Sequence, residues 1–239
     1  MIIDYLIYNL PALCSCSLTC YSWYMAAISH LHATFSINDI SPQQKYKWPN
    51  SIRRMHRLGL LPLVKIVSIK WSYPTVFSPM RFNCCTLRHF LTLTNVQILE
   101  IRDLDIPSFM PRIRRYFAPF LPTLCSLHLR APKGSNRQII FFIGLFQHLE
   151  NLSLFYESPG GNPEEDLTLI PPFTPPLRGR LISWSWTTAG LFRDMFHLFG
   201  GMNFKTLNLF NASETRFLLR ACAKTLQVLR LHPNDPLSE

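Results

Sequence analysis

Cys14, Cys16 and Cys20 are the closest-spaced run of three cysteines in the chain, and cysteines are potential metal ligands. A structural zinc site takes about four Cys or His donors, most often as two spaced pairs. No C-x-x-C occurs, and no second Cys or His pair sits at ligand spacing nearby. The three are therefore expected as small buried hydrophobes, with no metal and no other cofactor. Cys84, Cys85, Cys125 and Cys222 bring the total to an odd 7. Cys125 falls in a strand-like run and Cys222 on the apolar side of a helical one, which points to free thiols in a reducing compartment. There is no G-x-S-x-G, P-loop, G-x-G-x-x-G or H-E-x-x-H, and the 8 His lie without matched acids. The chain is expected not to be an enzyme. Arg53, Arg54, His56 and Arg57 offer either a phosphate contact or a solvated turn or short helix. Arg112, Arg114 and Arg115 are expected on the wet outer face of a helix.

The elements that must carry these side chains repeat. Leu124-Cys-Ser-Leu-His-Leu129 reads L-x-x-L-x-L, and Leu149–Leu154 and Leu226–Leu231 copy it. Looser copies start at Val64, Val96, Leu181 and Phe204, so the seven starts lie 22 to 32 residues apart. Alternating apolar residues point to one face of a strand, and a single unit cannot bury that face alone. Units of this period stack. The expected fold is α/β: an irregular leucine-rich-repeat-like solenoid over 61–239, with parallel strands on one side and helices on the other. Regular repeats of this kind place Asn or Cys three residues after L-x-L. Here that position holds Pro132, Glu157, Ala212 and once Asn234, so uneven curvature is expected. Long repeat surfaces bind; they carry no built-in chemistry.

Hydrophobic residues make up 48% and charged residues 16%, which fits a core-forming chain and excludes a disordered one. Aromatics reach 13%, to fill the space between strands and helices or to sit on a binding surface. Net charge is +10, yet residues 1–44 contain no Lys or Arg and carry only Asp4 and Asp39, which leaves +12 on the remainder. That basic remainder fits a solvated surface or an acidic partner; a nucleic-acid binder would rest on charge alone and is not the expectation. The longest apolar run, Ile139–Phe146, is too short to span a bilayer. The apolar N-terminus has no basic n-region and is not expected to be a signal peptide.

Residues 2–8 are expected as the tail of a helix with Ile2, Ile3 and Leu6 on one face. Pro11 suits the first turn of a second helix that offers Leu13 and Leu18, and a third is expected from Thr19 to Leu31. Ile-Ile-Asp-Tyr-Leu, Leu-Pro-Ala-Leu and Cys-Ser-Leu-Thr-Cys-Tyr-Ser-Trp23, read together, resemble an F-box. Ser29–Ile37 resembles the His-Leu-Phe-x-x-Ile strand that leads out of the F-box in basidiomycete fungal proteins. Leu129–Ser135, Phe142–Leu149, Pro171–Gly179 and Leu198–Gly201 are similar to segments of the same F-box and leucine-rich-repeat family. The resemblance covers nearly the whole chain. It implies a substrate-recruiting subunit of an SCF-type ubiquitin ligase, cytoplasmic or nuclear, that docks on a Skp-type adaptor linked to a cullin scaffold and holds an unknown substrate protein. Carried over from the pattern, Ile2, Ile3, Leu6, Pro11, Leu13, Cys20 and Trp23 would contact the adaptor. F-boxes open with a Leu-Pro pair ahead of the first helix; this chain starts inside that helix, so the resemblance is to an N-terminally truncated F-box. A repeat scaffold that binds another protein without ligase coupling is the alternative. The resulting division is 1–32 helical module, 33–60 linker and 61–239 repeats.

Along the repeats, Asn83 is an expected cap for a helix with Leu87, Phe90 and Leu91. The second strand is expected to end at Ile106-Pro107, before one helix with Met110, Ile113, Phe117 and Leu121 inside. Ser135 or Asn136 should cap a helix with Ile139, Phe142, Ile143 and Phe146 inside. Glu157–Asp166 is an acidic Gly/Pro-rich loop, either a recognition loop or a surface insertion, and Pro171–Pro176 is a stiff connector. Trp184 and Trp186 are core filling or an exposed aromatic anchor. Thr188 is an expected cap for a helix that Gly200-Gly201 stops. Beyond the last strand, Pro233–Pro236 offers no capping unit, so the repeat pattern is expected to run on or to fray.

Overall fold

Phe35, Val67, Leu99, Leu127, Leu152, Leu181, Leu207 and Leu229 stand side by side across one sheet. The strands that carry them are β1 (Thr34–Ile37), β2 (Ile66–Lys70), β3 (Ile98–Arg102), β4 (Ser126–Arg130), β5 (Asn151–Phe155), β6 (Arg178–Ser183), β7 (Asn203–Leu209) and β8 (Val228–Leu231). All neighbours pair in parallel and in chain order, giving an α/β fold with a single eight-stranded sheet. The computed structural model describes residues 2–6, 9–37, 47–70, 88–110, 113–155, 178–183, 190–210 and 215–232. Asn83, Leu87, Arg112, the 157–166 loop, the 171–176 connector, Trp184, Trp186, Thr188 and residues 233–236 lie outside the described residues.

Parallel neighbours need a crossover between them. The crossovers carry α3 (Lys47–Arg57), α4 (Ile106–Phe109), α5 (Ile113–Phe117), α6 (Asn136–Gly144), α7 (Leu191–Phe199) and α8 (Thr215–Ala221). Their apolar faces and the inward strand residues form one core, from Phe35 to Cys222. Its centre is aromatic. Phe117 packs edge-on to Phe142 at 5.1 Å between ring centroids and to Phe120 at 6.0 Å, and reaches Phe90 and Phe146 at 6.4 Å. Ser135 closes a capping box with Gln138 at the start of α6, as its position before an apolar helical run predicts. Ile139, Phe142, Ile143 and Phe146 are all buried.

The units are tied at the foot of each strand. The carbonyl of Ala33 accepts from the N–H groups of both Lys65 and Ile66. The carbonyls of Lys65, Gln97 and Cys125 do the same for Gln97 and Ile98, for Cys125 and Ser126, and for Glu150 and Asn151. Side chains just before three of the repeats add a second tie: Asn95 Nδ2 to the Pro62 carbonyl (2.9 Å), Thr123 Oγ1 to Val96 (2.8 Å) and Thr225 Oγ1 to Phe204 (3.2 Å). The side-chain ties thus lie just ahead of L-x-x-L-x-L, while after it the bridges run from backbone to backbone, Asp103 N–H to the Arg130 carbonyl and Lys133 N–H to that of Leu104.

Several expectations change. The stretch 33–60, expected as a linker, holds β1 and α3. Ile52 of α3 is buried and Met55 packs against the main core, because they share a helix face one turn apart. Arg53, Arg54, His56 and Arg57 are all exposed on that helix. The fifth repeat is shifted. Leu181 pairs with Leu152 and Leu207, so it occupies the fourth position of the six. The physical reason is Gly179, which stands where other units bring a side chain; the register slips there, leaving Lys205 as an extra residue on β7. Strand β3 stops at Arg102, short of Ile106-Pro107. Where one helix with Met110, Ile113, Phe117 and Leu121 inside is expected, the described residues hold α4, then α5, then a 3-10 turn at Ala118–Phe120, and Pro107 and Pro119 take first-turn positions in α4 and the 3-10 turn. Helix α7 starts from Gly190 at φ 94° and stops, as expected, at Gly200 in the left-handed conformation.

Candidate docking surfaces

The N-terminal residues fold as a 3-10 turn (Ile2–Leu6) followed by α1 (Leu10–Ser17) and α2 (Tyr21–Leu31). Asn9 caps α1 by accepting from the Ala12 N–H at 3.1 Å, and Pro11 occupies the first turn. The module has a core of its own, Ile3, Leu13 and Ala27, with Leu6, Ala26 and Leu31 against it. The seven residues singled out from the sequence therefore divide. Ile3 and Leu13 are buried and Leu6 half-buried; they hold the helices together from inside. Pro11, Cys20 and Trp23 are exposed. Ile2 lies in the 3-10 turn. Of the three N-terminal cysteines only Cys16 is buried; Cys14 and Cys20 reach the surface, contrary to the expectation for both. Among the described residues no group of three or more Cys, His, Asp or Glu is placed to hold a metal.

Many of the side chains this module exposes are large and apolar. Tyr5 is 88% exposed, Leu18 86% and Tyr21 76%, and Leu10, Trp23, Tyr24 and Met25 join them. The polar side chains among them are turned inward on their own backbone. Ser15, Ser17, Thr19 and Ser29 each donate a hydroxyl to a carbonyl one turn back, at 2.7–3.0 Å. Neither α1 nor α2 contains a Lys, Arg, Asp or Glu. Large apolar groups without interspersed charge mark an interaction surface on a soluble protein. Sequence reasoning finds Trp23 but misses Tyr5, Leu18, Tyr21 and Met25. The lack of Lys, Arg, Asp and Glu from residues 5–38 is the available signal.

A second surface lies on the sheet face turned away from the core. Glu100, His128 and Ser153 stand in register on β3, β4 and β5. Two residues further on, Lys70, Arg102 and Arg130 stand in register on β2, β3 and β4, and Phe155 follows on β5. Glu100, Arg102, His128, Arg130, Ser153 and Phe155, with Ile101 and Leu129, line a concavity of about 340 Å³. The Arg130 guanidinium lies 4.9 Å from the centre of the Phe155 ring. Like charges directly opposite one another on neighbouring strands repel. Among the described residues no carboxylate forms an ion pair with these three cations. Asp103 and Ala131, next after Arg102 and Arg130, adopt left-handed φ of 60° and 48°. That costs about 1–2 kcal/mol at Ala131, whereas Asp tolerates the left-handed region better. The basic row is legible as the residue after the last apolar position of V-x-I-K, L-x-I-R and L-x-L-R, yet nothing in any one unit singles it out.

His128 sits in this concavity, with Ser126 Oγ 3.0 Å from Nε2. Burial lowers its pKa below the usual imidazole value, against the raising effect of the Glu100 charge. A lowered folded pKa means that the unfolded chain takes up the proton first as pH falls. The neutral ring therefore contributes stability above about pH 6.5, and that contribution is lost on acidification below it. Urea denaturation of the wild type at pH 7.5 and pH 5 is expected to show a larger loss of stability than the same pair for His128→Gln. An equal loss in both proteins would contradict the assignment. Burial also raises the pKa of the Cys125 and Cys222 thiols, with Glu150 adding to the effect at Cys125. Both stay protonated near neutral pH and weakly nucleophilic.

No protein-family model matches this sequence, no curated protein matches it, and no solved structure matches its fold. Among the described residues no helix is long and apolar enough to cross a membrane.

Proposed function

We propose that this chain is a protein-interaction adaptor of the F-box and leucine-rich-repeat kind, recruiting a substrate protein to an SCF-type ubiquitin ligase. The observation that carries the reading is the set of exposed apolar side chains, Tyr5, Leu10, Leu18, Tyr21, Trp23, Tyr24 and Met25, beside helices that hold no Lys, Arg, Asp or Glu and already have a core of their own. A partner of matching apolar character, a Skp-type adaptor tied to a cullin scaffold, would cover it. Trp23, Cys20 and Pro11 would make contact, with Leu18 and Tyr21 beside them, while Ile3, Leu6 and Leu13 set the helix geometry beneath. The in-order parallel sheet supports the solenoid half of the reading, in which each L-x-x-L-x-L unit buries its leucines against the next. The unit count would then be eight, with β1 as the first. The outer sheet face would hold the substrate. Catalysis would come from proximity, since a tethered substrate gains effective concentration near a ubiquitin-loaded enzyme and the adaptor itself does no chemistry. Such a role fits the cytoplasm or nucleus.

Co-expression with a Skp-type adaptor and size-exclusion chromatography test this. A one-to-one complex is expected, weakened by Trp23→Ala by about tenfold or more, as for a buried aromatic hot spot. Leu18→Ser, at a site 86% exposed, should weaken it without touching the module core. Unchanged circular dichroism in both variants separates lost contact from lost fold. A folded wild-type chain that forms no complex would leave the repeat scaffold without ligase coupling as the better account.

A further inference from the structure

We infer that the open edge of the sheet at β8 takes up an extended, acidic segment of a partner protein as a further strand, with the pattern apolar, Asp or Glu, apolar set against Leu229, Arg230 and Leu231. The inference needs neither ligase coupling nor a substrate on the outer sheet face.

β8 is the last strand of the sheet, and the apolar stack is left open there. Leu229 stands in register with Leu207, and Leu231 with Leu209. Leu207 is fully buried and Leu209 is 2% exposed, whereas Leu229 is 39% and Leu231 57% exposed. At the other edge Phe35 and Ile37 of β1 hold the same two places and are only 7% and 2% exposed. One end of the sheet is therefore covered and the other is not. The backbone is open as well. The carbonyls just before β1, β2, β3 and β4 each accept N–H groups from the next unit, and that of Lys205 accepts from Gln227. Gln227 takes the same place before β8, and among the described residues no ninth strand follows to use its carbonyl. An edge with free strand amides and unfilled apolar positions is a template for another strand. Neither a nucleic acid nor a lipid headgroup supplies a matching row of amides.

Charge selects the strand. Arg216 and Arg220 on α8, Lys224 after it and Arg230 on β8 are all exposed. No Asp or Glu occurs from Thr215 to Asn234. Arg230 alternates with the two leucines and shares a face with Asn208 beside it, so a carboxylate directly opposite on a ninth strand would meet it. A second copy of this chain fits badly. Joined head to tail, β8 would have to reach β1, whose apolar positions are already covered. Joined edge to edge about a two-fold axis, it would bring these four cations against the same four. The charges that deter self-pairing admit an acidic strand. The pattern reads the same in both directions, so it fits β8 in parallel or antiparallel.

Fluorescence anisotropy of the full chain with short labelled peptide pools tests the inference. The pools are degenerate outside a fixed core of Ile-Glu-Ile, Ile-Lys-Ile or Ser-Glu-Ser. The Ile-Glu-Ile pool is expected to bind at least about tenfold tighter than either of the others, since one loses the charge pairing and the other the apolar filling. Arg230→Glu should invert the charge preference, so that Ile-Lys-Ile becomes the tighter of the two. Leu231→Ser, at a side chain already exposed, should weaken binding of the Ile-Glu-Ile pool by about tenfold. Circular dichroism of both variants controls for folding. Equal binding of the Ile-Glu-Ile and Ile-Lys-Ile pools, or an acidic preference that survives Arg230→Glu, would overturn the assignment to this edge. Absence of binding by any pool would overturn it too. A wild-type dimer in analytical ultracentrifugation that Leu231→Ser dissociates would give the edge to a second copy and sink the acidic-strand inference.

Discussion

Gly179→Ala is expected to destabilise the fold by about 3–5 kcal/mol, because the substitution meets both backbone strain and a clash. Gly179 holds φ at 100°, where an L side chain is strained, and a Cβ there would run into the backbone oxygen of Glu150. That oxygen cannot withdraw, because it accepts from the Arg180 N–H at 2.9 Å and so ties β5 to β6. Relief would require β6 to move away from β5, breaking the register in which Leu181 meets Leu152. Gly59 is the internal control. Its φ is 67°, and a Cβ added there would meet no atom within 4 Å, so Gly59→Ala should cost only the left-handed backbone strain, about 1–2 kcal/mol. Chemical denaturation of both variants checks the difference. Equal losses at the two sites would show that the close approach at Glu150 carries no weight.

Phe117→Ala should cost a similar amount, about 3–5 kcal/mol, by a different route. Its ring is the hub of the buried aromatic cluster, touching Phe90, Phe120, Phe142 and Phe146, and it is 1% exposed. Removing it leaves a cavity between the crossover before β4 and the helix after it, walled by rings that cannot collapse into the space without losing their edge-on contacts. Phe117→Leu keeps most of the volume and should cost about 1.5 kcal/mol or less. A ratio near one between the two losses, measured by thermal or urea unfolding, would mean that the cluster repacks freely. Because Phe117 joins successive units, the alanine variant should also broaden the unfolding transition, as coupling between neighbouring units weakens.

The repeat is legible in the sequence because each unit must hide the same two strand positions, and that demand acts on residue type directly. The starts at Val64, Val96, Leu124, Leu149, Phe204 and Leu226 all fall on observed units. Leu181 reads three positions out of phase because Trp184 and Trp186 happen to extend the pattern, while Gly179 leaves no apolar side chain to mark the true phase. β1 is legible only as a strand leading out of the helices. Four residues with two apolar positions carry too little pattern to announce membership of the sheet, and its pairing with β2 supplies the rest.

The candidate surfaces divide in the same way. Composition and local order suffice to mark residues 1–44 as a stretch of different charge, to reveal the recurring L-x-x-L-x-L units, and to place helices between them. These features follow from periodicities of 2 and 3.6, which are properties of neighbours along the chain. Which apolar residues face outward depends instead on packing between elements. Leu13 and Leu18 are the same residue type five apart, yet one is fully buried and the other 86% exposed. Stacking also brings Lys70, Arg102 and Arg130 into one row from positions about thirty residues apart, since register between strands is set by the stacked leucines behind them. A parallel sheet turns a once-per-unit residue into a line, and the chemistry of that line exists only once the units are stacked.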